Sequence, residues 1–113
     1  MARPKKPKAA PKPKKAMSML ITACELASHS GSANDATYKK SIKKALNIAK
    51  YFVKHNFYDD AYIIAKALHI DLHNNIKRTA AIHASRLFLY NDKHDYCLKL
   101  ADLCLQTSGT MSL

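Results

Sequence analysis

The chain has 113 residues, with 19 Lys and Arg against 8 Asp and Glu, a formal net charge of +11. Apolar residues make up 48 %, which suffices for a core, yet no apolar run approaches the roughly 18 residues that span a bilayer. Two Gly and no Trp argue against a Gly-rich phosphate loop and turn-dense all-β folds, while the charge surplus favours a polyanionic partner.

The charge is uneven. Residues 1–16 carry Arg3, Lys5, Lys6, Lys8, Lys12, Lys14 and Lys15, no acid, and all four prolines, Pro4, Pro7, Pro11 and Pro13. Each proline removes a donor and restricts the residue before it. Like charges repel, and no apolar residue larger than Ala follows Met1. A disordered basic arm, extended and partly polyproline-II, is therefore expected over 1–16, with a boundary near Ala16–Met17. No apolar h-region follows the charges, so secretion is not expected, and four prolines oppose an amphipathic mitochondrial presequence. The Met-Ala-Arg start does not indicate N-myristoylation. An anionic membrane surface is a further polyanion the arm would suit. Lys/Pro/Ala arms of this composition resemble the tails of linker histones and histone-like bacterial proteins.

From residue 17 to 105 the pattern predicts an all-α domain of about five short amphipathic helices, in a bundle or a helical-hairpin array. The first spans about Ser18 to Ser28 and ends at Ser30-Gly31-Ser32, with Gly31 a natural left-handed stop. Asn34 and Asp35 suit an N-cap for a long helix to about His55. Its apolar set, Tyr38, Ile42, Ala45, Leu46, Ile48, Ala49, Phe52 and Val53, falls in one arc at 100° per residue. Lys39, Lys40, Lys43, Lys44, Lys50 and Lys54 fall in the opposite arc, with no acid between Asp35 and Asp59. A third helix runs about Asp59 to Ile70, its start favoured by Asp59 and Asp60. A fourth covers about Asn75 to Leu89, and a fifth, after Asn91-Asp92, about Lys93 to Leu105. Gln106 to Leu113 reads as a short polar tail. No period-2 run or hairpin pair signals a strand.

A shift of 35 residues superimposes Ala45 on Ala80, Ala49 on Ala84, Val53 on Phe88, Asn56 on Asn91 and Leu68 on Leu103. Ala49 and Ala61 stand twelve apart, and Tyr58-Asp59-Asp60-Ala61 opens a second helix. In these features residues 17–105 resemble a tetratricopeptide-type array of one leading helix and two hairpins. The early Trp-x-x-Leu-Gly and the closing Pro of that family are absent, and Tyr96 stands where a small residue belongs. A plain helical bundle is the competing expectation.

Nucleotide-loop, zincin and serine-hydrolase signatures are absent, so no enzyme and no catalytic residue is expected. Cys97 and His94 share a helix face at i, i+3, though His94 reads as a solvated first-turn residue. His69 and His73 stand at a chelating spacing, but His73 falls where the helix should end and no third ligand is evident. No metal and no cofactor is expected. Three cysteines, Cys24, Cys97 and Cys104, with no signal peptide, imply apolar buried thiols in a reducing intracellular compartment, cytoplasm, nucleoid or nucleus.

The lysine arc carries the functional expectation. Lys39, Lys43, Lys50 and Lys54 lie within about 60° of helix surface. Lys40 and Lys44 flank them, and Lys77, Arg78 and Arg86 extend the patch from the fourth helix. Together with the arm they suit nucleic-acid phosphates, DNA or RNA, read without sequence specificity because lysine places a protein on the backbone. Tyr38, Tyr51, Tyr58, Tyr62 and Tyr90 either stack on bases or cap the core with the hydroxyl outward. The alternatives are a helical-hairpin adaptor or chaperone with a basic localisation tail, binding a protein partner or itself, and a virion or assembly component touching packaged nucleic acid. An adaptor needs an exposed apolar groove, which a nucleic-acid binder does not.

Overall fold

The structure, a computed structural model, describes residues 11–29, 35–70 and 75–109. Five helices and no strand occur among them: α1 Pro13–Ala27, α2 Ala36–Lys54, α3 Tyr58–Leu68, α4 Asn75–Tyr90 and α5 His94–Gly109. The all-α architecture is as the helical periodicity implies. The left-handed stop expected at Gly31 lies outside the described residues, as do Arg3, Lys5, Lys6, Lys8 and His73.

The first helix begins earlier than its pattern suggests. Pro13 occupies the first turn, where its missing N–H costs nothing and its fixed φ suits a helix. After it no proline interrupts the chain, and Ala16, Leu20, Ala23 and Ala27 form one buried stripe. The arm boundary expected near Ala16–Met17 is thus displaced: Lys14 and Lys15 stand exposed on the first turn of α1, and Ala16 belongs to the core. At the far end α5 continues to Gly109, past the expected break at Gln106.

α2 is the central helix. It packs against α1, α3 and α4, while α5 rests on α4 and more lightly on α3. Asp35 caps α2, its Oδ1 accepting from Thr37 N–H at 2.9 Å and Tyr38 N–H at 3.4 Å. Half of the buried apolar residues are alanine, including Ala45, Ala49, Ala61, Ala65 and Ala84. Such small side chains let helix axes approach closely. Tyr38, Ile42, Phe52, Ile64, Leu68, Phe88 and Leu100 fill the remaining volume. Tyr38 is therefore a core residue and supplies no stacking surface.

Two turns are built alike. α2 ends with Asn56 at φ 66° and α4 with Asp92 at φ 59°. Phe57 N–H bonds Phe52 C=O, and Lys93 N–H bonds Phe88 C=O, each at 2.8 Å. Asn56 N–H bonds Val53 C=O at 3.1 Å, and Asp92 N–H bonds Leu89 C=O at 3.2 Å. Both are Schellman endings. The first has its apolar contact too, with Phe52 and Phe57 rings 5.8 Å apart. The turns correspond at a spacing of 36 residues, one more than the shift that aligns the apolar helix positions. Neither left-handed position is glycine, so each carries a backbone penalty. Asp92→Gly is expected to raise stability by about 0.5 kcal/mol, because lost left-handed strain outweighs glycine's added chain entropy. Asn56→Gly gains less, since it loses the Tyr58 hydroxyl bond to Asn56 Oδ1. Urea unfolding followed by helical circular dichroism measures both.

Candidate functional site

The lysine arc sits on α2 as its period requires. Lys39, Lys40, Lys43, Lys44, Lys50 and Lys54 are all exposed, while the core positions between them are buried. Among the described residues no carboxylate lies within salt-bridge distance of any of the six; the one close approach of a basic ring to a carboxylate, His94 to Asp92 at 3.9 Å, is elsewhere. Lys39 and Lys43 also line a cleft of about 140 Å³ between α2 and α4, whose other wall carries Thr79 and His83. His83 thus joins the basic face from the neighbouring helix. Nothing in the sequence marks it, because only the packing of α4 on α2 brings it there.

The extension of this patch along α4 differs from expectation. Lys77 is 5 % exposed. It lies on the buried stripe with Ala81, Ala84 and Phe88, at helical spacings of four, seven and eleven. It belongs to the core side of α4 and offers no charge to a ligand at the surface. Arg78 is exposed, but it bonds the Asn75 side chain and lines a different cleft with Arg86, between α4 and α5. Lys12, Lys14 and Lys15 are exposed around the start of α1.

A second basic surface was not visible in the sequence. Tyr58 and Tyr62 of α3 meet Tyr96 of α5, with ring centroids 6.4 Å and 5.4 Å apart, and Tyr96 stacks on Phe88 at 5.0 Å. Lys93 lies 4.6 Å from the Tyr58 ring centre, Lys66 5.7 Å from Tyr62, and Lys99 5.5 Å from Tyr96. These lysines are held by cation–π contact. The Tyr96 hydroxyl donates to Asp59, which with burial raises its pKa. Tyr58 and Tyr62 are half-buried in this cluster, whereas Tyr90 stands 75 % exposed and alone.

Behind the surface, His69 caps α3 and is buried. Its Nδ1–H donates to Ala65 C=O at 2.6 Å, and Ser85 Oγ reaches its Nε2 at 3.4 Å. The Cys97 thiol donates to Ser85 C=O at 3.3 Å, not to His94. This polar chain joins α3, α4 and α5. Cys24, Cys97 and Cys104 are half-buried free thiols, their pKa values raised by burial. Among the described residues no three His, Cys, Asp or Glu side chains gather as a metal site would require.

Burial lowers the His69 pKa, and the bond to Ala65 C=O opposes that shift. The unfolded chain therefore takes up the proton first as pH falls. The contribution of neutral His69 is full above about pH 6.5 and drains as pH drops below that value. The urea midpoint is expected to fall on acidification through this window, and His69→Gln to flatten the fall.

No described helix is long and apolar enough to cross a membrane. Comparisons with family models, with curated proteins and with solved structures each find no match.

Proposed function

We propose that the protein binds the phosphate backbone of nucleic acid through the lysine face of α2, without reading sequence. One observation carries this reading: six exposed lysines on one arc of α2, with no carboxylate paired to them among the described residues. A solvated helix face of ordinary kind mixes both signs of charge. A one-sign face raises the energy of the free protein by self-repulsion, and phosphates relieve that repulsion while releasing condensed counterions. Lys12, Lys14 and Lys15 add to the same field. They crowd the α1 N-terminus, where the helix dipole is already positive and no acid offsets it. The basic residues of 1–10 would extend contact along the backbone.

The test is a fluorescence titration of the full chain with labelled duplex DNA, single-stranded DNA and RNA over a range of salt. Affinity is expected to fall with salt at about 0.9 log units per log unit for each duplex phosphate neutralised. A salt-independent affinity would exclude the reading.

A further inference from the structure

The basic face of α2 leaves the opposite side of α4 unexplained. There, α4 and α5 enclose an open cleft of about 310 Å³. Ile82 and Leu89 form its α4 wall, and Cys97 and Cys104 its floor. Ile82 and Leu89 are each about half exposed, although they are large and apolar. At 100° per residue, Leu98 and Leu105 stand beside Cys97 and Cys104 around α5, on the side away from buried Leu100. They are 65 % and 68 % exposed. Each apolar pair is seven residues apart, so the strip runs about two helical turns along the groove. Arg78 and Arg86 line the same cleft, exposed, eight residues apart, and no carboxylate is paired with either among the described residues.

We infer that this groove takes an amphipathic helix of a partner protein that carries acidic residues along its flank. An apolar strip two turns long matches anchors at i, i+3 or i+4, and i+7 on an incoming helix. Charge decides the occupant. The two arginines call for carboxylates at the α4 edge of the groove, where bidentate pairing would fix the register, whereas exposed Asp102 stands beside Leu98 on the α5 edge and disfavours them there. A second copy of this chain is a poor occupant, because a net charge of +11 opposes self-association. The groove is separate from the α2 face, so the inference does not rest on phosphate binding.

The probe is a fluorescein-labelled peptide about four helical turns long, with leucines at i, i+3, i+4 and i+7 and glutamates on the flank that meets α4. Controls are a scrambled peptide of equal charge and a version with lysine for glutamate. The full chain is expected to bind the acidic amphipathic peptide at least about tenfold more tightly than either control. Leu89→Asp should cost at least about tenfold, and Arg78→Glu with Arg86→Glu should abolish the preference for the acidic peptide. All three substituted residues are surface-exposed, and circular dichroism checks that the variants fold. Lys43→Glu with Lys50→Glu should leave peptide affinity within about twofold, which separates this groove from the α2 face. Equal binding of the scrambled peptide would overturn the inference. So would wild-type affinity in Leu89→Asp, or a concentration-dependent dimer that Leu89→Asp disperses.

Discussion

The 113-residue chain carrying Lys43→Glu and Lys50→Glu is expected to lose on the order of a hundredfold in duplex affinity at about 0.1 M salt. Each phosphate contact contributes about a factor of ten at that concentration, through release of one condensed counterion. Two contacts vanish, and two new carboxylates repel the phosphates on either side. The log–log salt slope should fall by about two units in parallel. Both lysines are exposed, and both lie on the arc opposite the buried residues of α2. Stability should therefore stay within about 0.5 kcal/mol of the parent. Lys66→Glu provides the contrast. That lysine lies over the Tyr62 ring on the other basic surface, so a similar loss there would move the interface from α2 to the α3–α5 side. Salt titrations of the three proteins read all of these outcomes.

Phe52→Ala is the substitution expected to cost most in stability, about 3–5 kcal/mol. Phe52 is fully buried on α2, the helix that contacts α1, α3 and α4. Its ring meets Phe57 at 5.8 Å and Tyr51 at 6.3 Å, and its carbonyl accepts the bond that closes the α2–α3 turn. Removing the ring leaves a cavity in a core half of whose buried apolar residues are alanine, with no side-chain length to collapse into it. A small domain holds only about 5–15 kcal/mol in total, so the variant should unfold at modest urea concentration. Leu98→Ala should change stability by less than about 0.5 kcal/mol, because Leu98 is already in water. Urea midpoints of the two variants make the comparison.

Much of this fold could be read from residue order. The apolar arc of α2, the Asp35 cap and the acidic first turn of α3 obey local rules, and local rules act within a few residues. The start of α1 is hidden in the sequence because four prolines dominate the segment, while the rule that matters concerns only where the last of them stands. Lys77 shows a different failure. Charge assigns it to the surface, but helical period assigns it to the core side of α4, and period prevails. His83 beside Lys39 and Lys43, the lysine-covered tyrosines and the α4–α5 groove each require knowing which helices touch. That information lies in packing between segments far apart in the chain. The same tertiary contact divides the basic residues of α4, setting Arg78 and Arg86 on the groove and away from the α2 cleft.

The most direct measurement is a ¹H–¹⁵N chemical-shift map of the full chain titrated with a short duplex. Amide shifts are expected over residues 39–54 of α2 and at His83, moving together at one dissociation constant, with residues 12–15 also affected. Shifts confined to residues 1–16, with α2 unmoved, would contradict the assignment of the interface to the lysine face.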